Sequence, residues 1–128
     1  MSRILRRLPM LAAPLFLLFT AAPVHAADYD LNGLFVGSWT DKGRNRTNYK
    51  FKMQITHDGD RISGSTIDKT VKIKGRLIVD IVKLEWDHSS GSYGAGYLRV
   101  LEGGRRLKGK WDSEGSGRFY GEWDLLRQ

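Results

Sequence analysis

Two histidine and aspartate neighbours, His57-Asp58 and Asp87-His88, are where acid–base or metal chemistry would have to begin in this chain. Neither builds a catalytic constellation, because a triad needs a third group at a defined geometry. Zinc needs close histidine or cysteine spacing, which His57, Asp58, Asp60, Asp87 and His88 do not supply. Cysteine is absent, which excludes disulfides, thiolate ligands and a lipidated cysteine behind a leader. No enzyme activity, metal or cofactor is therefore expected. The remaining chemistry is aromatic and basic. Trp39, Tyr49, Trp86, Trp111 and Trp123 offer large apolar surfaces for a small hydrophobic or aromatic ligand. Lys72, Lys74, Arg76, Arg106, Lys108 and Lys110, with Lys42, Arg44 and Arg46 in an earlier loop, could meet an anionic or protein partner.

The elements that position the tryptophans follow from a repeat. Gly-x-Trp-Asp occurs at Gly109 and Gly121, and Gly37-Ser38-Trp39-Thr40 is a related earlier copy. A loop over Ser113 to Gly117 makes the last two copies a hairpin, with Asp112 opposite Arg118, Trp111 opposite Phe119, Gly109 opposite Gly121 and Leu107 opposite Trp123. One face is then apolar, and Lys108, Lys110, Asp112, Arg118, Tyr120, Glu122 and Asp124 occupy the other. A glycine two residues before each tryptophan leaves room beside a large ring, which suits the taper of a small closed barrel.

The same alternation runs through the rest of the chain. Leu34 to Thr40 reads as a first strand with Phe35, Gly37 and Trp39 on one side. Tyr49, Phe51, Met53 and Ile55 alternate with polar residues up to Asp58-Gly59, a two-residue turn that sets Ile55 opposite Ile62, Met53 opposite Gly64 and Phe51 opposite Thr66. A turn at Asp68-Lys69 returns Val71, Ile73 and Gly75 against Thr66, Gly64 and Ile62. The stretch from Val71 to Asp87 is too long for one ordinary strand, so it breaks at Val79-Asp80, which sets Lys74 against Glu85 and Lys72 against Asp87. Ser89 to Tyr93 is a loop that leaves Gly96 opposite Trp86, and a turn at Gly103-Gly104 sets the same Gly96 opposite Trp111.

Eight short strands joined mostly by hairpins, with no helical segment, predict an all-β, eight-stranded antiparallel up-and-down meander barrel. Its inner face is apolar, from Trp39 and Phe51 through Ile73, Leu84 and Leu98 to Phe119 and Leu125, with Tyr49, Thr66 and His88 as the polar exceptions. Such an interior either holds a small apolar ligand or is filled by its own side chains. The charged outer faces argue against a barrel embedded in lipid.

Gly37-Ser38-Trp39-Thr40 on the first strand, the meander, and Gly121-Glu122-Trp123-Asp124-Leu125-Leu126-Arg127 at the end resemble the calycin group of lipocalins, fatty-acid-binding proteins and avidins. The chain also resembles small exported bacterial proteins whose last strand ends in Gly-x-Trp-x-Leu-x-Arg. The resemblance implies a ligand inside the barrel and a late basic residue, Arg127, packed across Trp39. It does not extend to biotin, because the polar residues that avidins aim at biotin have no matching inner positions here, and the C-terminal helix of lipocalins is lacking.

Residues 1–26 carry a basic start at Arg3, Arg6 and Arg7, an apolar stretch and a small-x-small ending at Val24-His25-Ala26, the pattern of a cleaved export signal. Prolines at 9, 14 and 23 interrupt it, so no integral span is expected after cleavage. Residues 27–128 then form one domain, exported to the periplasm or the cell exterior. Removing the three leader arginines from 21 basic residues leaves 18 against 14 acidic ones, a net charge of +4. That mild excess, together with export, argues against nucleic acid as a partner. Two functions fit: a carrier or sensor for a small apolar ligand, and an interaction or inhibitor module acting through a basic outer face and loops.

Overall fold

The computed structural model describes residues 29–41 and 48–128. The expected export signal, residues 1–26, and Lys42, Arg44 and Arg46 lie outside the described residues. Eight strands follow in chain order: β1 (Gly33–Asp41), β2 (Asn48–Asp58), β3 (Arg61–Thr66), β4 (Val71–Ile78), β5 (Ile81–His88), β6 (Tyr93–Leu101), β7 (Arg106–Asp112) and β8 (Phe119–Arg127). Each pairs antiparallel with its sequence neighbour, and β1 also pairs with β8, so the meander closes into a barrel. Closure removes both sheet edges, and eight strands enclose just enough space for side chains. Among the described residues no helix is long and apolar enough to cross a membrane.

The core runs along the axis from Leu31 and Phe35 through Met53, Ile55, Ile73, Leu84, Leu98 and Leu107 to Trp111 and Trp123. One end is plugged by residues 29–32, which the reading by periodicity leaves unassigned. Leu31 is fully buried there, and its N–H donates to His57 Nδ1 at 3.1 Å. The Asn32 side chain caps the end of β2 by accepting from His57 N at 2.8 Å and donating to His57 O at 3.2 Å. His57 is thus a structural hydrogen-bonding residue.

Arg127 completes the plug rather than covering Trp39 as the calycin pattern implies. Its guanidinium lies 5.0 Å from the Phe35 ring centroid and donates to the carbonyls of Asp30 and Asn32. The register explains the difference, because β1 and β8 run antiparallel with Phe35 facing Arg127 while Trp39 faces Trp123.

The turns at Asp68-Lys69, Val79-Asp80 and Gly103-Gly104 give the expected registers on β3–β4, β4–β5 and β6–β7. Three other expectations are corrected. The β2–β3 turn is Gly59-Asp60, so Ile55 faces Gly64 and Met53 faces Thr66. Gly59 alone has a positive φ in that turn, at the first central position, where glycine is favoured. On β5–β6 it is Gly94, not Gly96, that faces Trp86. Both slips are two residues, which keeps every side chain on its expected face.

The third correction changes faces. On β7–β8, Trp111 faces Gly121 and Gly109 faces Trp123, and a β-bulge at Trp111/Asp112 pairs Asp112 with Phe119. Phe119 therefore lies outside, 44% exposed and edge-on to Tyr97, whereas Tyr120 packs against the core. Asp112 is buried at 5% exposure, because its carboxylate accepts from Ala95 N at 2.8 Å and Gly117 N at 3.0 Å. A bulge redirects side chains in this way by adding one residue to one strand only.

Candidate functional site

At the end opposite the plug, where β1 ends and β2 begins, the barrel opens into a cavity of about 540 Å³. All five aromatic residues singled out by sequence line it: Trp39, Tyr49, Trp86, Trp111 and Trp123. Phe51 and Tyr120 join them. The strands deliver this cluster because Trp39, Trp86 and Trp111 are inward positions near the C-terminal ends of β1, β5 and β7, which all point to one end of the alternating barrel, and Trp123 in the middle of β8 pairs with Trp39.

Glycine makes room for the rings across strands rather than along them. Trp86 faces Gly94, Trp111 faces both Gly96 and Gly121, and Trp123 faces Gly109. The two copies of Gly-x-Trp-Asp are thus reciprocal, with the glycine of each beneath the tryptophan of the other. A Cβ on Gly94 would stand 2.8 Å from Trp86 Nε1, and one on Gly96 3.3 Å from Trp123.

The rings meet at defined angles. Trp39 and Trp86 each stand nearly perpendicular to Trp111, with centroids 5.7 Å away in both pairs and interplanar angles of 81° and 85°. Tyr49 stacks on Trp39 at 4.2 Å. Trp111 and Trp123 are buried and form the floor, whereas Trp39, Trp86 and Tyr49 are partly exposed walls. Three indole N–H groups are already used by the barrel. Trp86 donates to Asp112 O at 2.9 Å, Trp111 to Thr40 O at 3.2 Å and Trp123 to Tyr97 O at 3.1 Å. Those bonds orient the rings so that π faces and carbon edges, not donors, meet the cavity.

A polar arc from the end of β5 and the β3–β4, β5–β6 and β7–β8 loops completes the rim with Asp68, Thr70, His88, Ser90, Ser92 and Ser113. Asp68 Oδ1 accepts from Thr66 Oγ1 at 2.8 Å, Thr70 Oγ1 at 2.8 Å and Thr70 N at 3.1 Å. These bonds, Thr66's first, hold the Asp68 carboxyl below the usual carboxylate range. His88 Nδ1 accepts from Ser90 N at 3.0 Å, which in a neutral ring puts the proton on Nε2. Sequence reasoning left Asp68 in a turn and Tyr120 outside, because loop closure and the bulge, not strand alternation, bring them to the mouth. His57 and His88 lie at opposite ends of the barrel, so they share no site. Among the described residues, no group of three or more metal-ligating side chains comes together.

The basic residues do not form one face. Lys72, Lys74 and Arg76 lie on β4, Arg106, Lys108 and Lys110 on β7, and β5 and β6 separate them. Most have an acidic neighbour across the strand pair: Lys72 faces Asp87, Lys74 faces Glu85, Lys108 faces Asp124 and Lys110 faces Glu122. Arg76 pairs with Asp60 at 2.9 Å, and Arg106 grips Asp124 through two bonds of 2.9 and 2.7 Å. The Arg106 guanidinium holds the Asp124 carboxyl below its ordinary range, and Asp124 in turn raises Arg106. One basic row links the two groups, running from Arg61 through Arg76, Lys83 and Tyr97 to Lys110.

The chain matches no protein-family model, and no curated protein matches it.

Proposed function

We propose that this chain is an exported, non-enzymatic binding protein that takes a small apolar or aromatic ligand into the tryptophan-lined mouth of its barrel. The observation that carries the reading is the convergence of Trp39, Tyr49, Trp86, Trp111 and Trp123 on one cavity of about 540 Å³, within the size range of small-molecule sites. Lower down, the interior is packed with buried aliphatic side chains, so the ligand is held at the mouth and not along the axis. Export rests on the basic and apolar character of residues 1–26.

The test is native mass spectrometry of the protein purified from its own exporting host, followed by tryptophan fluorescence with whatever mass is released. A co-purifying small molecule that quenches the tryptophans, and that no longer does so in Trp39→Ala, supports the reading. A bare mature chain that no small apolar probe quenches overturns it. A second reading, binding of an anionic partner on the outer wall, draws on the basic row from Arg61 to Lys110. Added salt would weaken that contact by screening and leave the apolar cup little changed.

A further inference from the structure

We infer that the ligand of the mouth carries a small organic cation, an ammonium centre surrounded by alkyl groups, held between the Trp39 and Trp86 rings over Trp111 with Asp68 as counter-charge. The inference rests on the reading of the mouth as a ligand site and names the class of ligand.

Two independent features point to a cation. The first is the aromatic arrangement. Trp39 and Trp86 stand at 81° and 85° to Trp111, each with its centroid 5.7 Å away, so three indoles form the sides of a box. Ring faces carry negative potential, and a cation within about 6 Å of a centroid is attracted to it, most when water is excluded. Of the three indole N–H groups of the box, those of Trp86 and Trp111 are bonded to backbone carbonyls, so at most the Trp39 N–H remains to meet an anion or a carbonyl ligand.

The second feature is the carboxylate at the rim. Asp68 is fixed by three hydrogen bonds that all end on Oδ1, which leaves Oδ2 for another partner. Those bonds also hold its carboxyl below the usual carboxylate range. Lys50 borders the same cavity from an outward strand position, between the inward-facing Tyr49 and Phe51 and opposite Ser38.

The probe is choline, compared with its neutral isostere in which a carbon replaces the quaternary nitrogen. Both are titrated against tryptophan fluorescence of the full folded domain. Choline is expected to bind about tenfold more tightly than the isostere, a difference of one decade in Kd. Asp68→Asn, which keeps the Oδ1 acceptor, should lower choline affinity several-fold and leave the isostere unchanged. Trp86→Leu should weaken both, and near-ultraviolet circular dichroism checks that each variant remains folded. Equal or tighter binding of the isostere overturns the cation and leaves the apolar cup standing. No quenching by choline, the isostere or a neutral naphthyl probe overturns the cup as well.

Discussion

Trp111 on β7 and Gly121 on β8 face each other directly, and a Cβ on Gly121 would stand 2.5 Å from the indole nitrogen and 1.8 Å from the Thr40 carbonyl oxygen. The Trp111 N–H already donates to that same carbonyl at 3.2 Å, so one missing methyl group allows the ring, β8 and β1 to meet. Gly121→Ala must push β1 away or turn the indole, and overpacking of this kind costs about 1–3 kcal/mol. A lower urea midpoint with an unchanged slope is the expected result. An unaltered midpoint would show that the strand pair relaxes freely.

Val79 sits at the tip of the β4–β5 hairpin with φ of +58° and is 70% exposed. The left-handed region costs a β-branched residue roughly 1–2 kcal/mol, and Val79 gains little burial in return. Val79→Gly removes the strain but gives the unfolded chain more entropy to lose on folding, so a net gain of about 0.5–1 kcal/mol is expected. Thermal melting reads the difference, and destabilisation by this change would refute the strained-turn account.

Arg127 links the last strand to the plug through the Phe35 ring and the carbonyls of Asp30 and Asn32. Lysine carries the charge but cannot reproduce a planar fork that stacks and donates at once. Arg127→Lys is expected to lose about 1.5–3 kcal/mol, the range for hydrogen bonds to a charged group. Hydrogen exchange should rise first at Leu31 N–H, whose acceptor is His57 Nδ1. Protection of Leu31 equal to wild type would remove Arg127 from the plug.

The Asp124 carboxyl is held below its ordinary pKa by hydrogen bonds from Arg106 and then by the charges of Arg106 and Lys108. A depressed folded value means that the pair's stabilisation is complete above the ordinary carboxylate range and is lost as pH falls through the folded value. Stability should therefore decline on acidification from that range downward. Asp124→Asn is expected to flatten this slope and to lower stability at neutral pH. Denaturant midpoints across the acid range, wild type against variant, give the comparison.

Trp39 and Trp123 face each other across β1 and β8 but carry different loads. Trp123 is 6% exposed and donates to Tyr97 O, whereas Trp39 is partly exposed and donates no hydrogen bond among the described residues. Trp123→Ala should cost about 3–5 kcal/mol as a core truncation. Trp39→Ala should cost clearly less while removing ligand quenching. Equal stability losses for the two variants would mean that Trp39 is core rather than wall.

The candidate site was legible in sequence as a set of residues but not as a place. Gly-x-Trp spacing and strict alternation put Trp39, Tyr49, Trp86, Trp111 and Trp123 on the inner face, and all five line the mouth. Their counterpart Asp68 belongs to a loop, where no periodicity says which way a carboxylate turns. Phe119 and Tyr120 exchange faces because Asp112 finds its hydrogen-bond partners on Ala95 and Gly117, and that attraction creates the bulge. The basic residues illustrate the opposite limit. They look clustered along the chain, yet strand pairing sets Lys72, Lys74, Lys108 and Lys110 opposite carboxylates.

Sequence alone determined the strand number, the hairpin order and the face of nearly every strand residue, because those follow from a period of two and from turn residues acting locally. A two-residue slip, as at Gly59-Asp60 and at Gly94, leaves that polarity pattern unchanged, so only the packed sheet could select the register. Closure of β1 on β8, the plug under Arg127 and the gathering of the tryptophans at one mouth were decided by tertiary structure. Each joins groups far apart in the chain, as Trp111 and Thr40 are, and such contacts form only when the barrel closes.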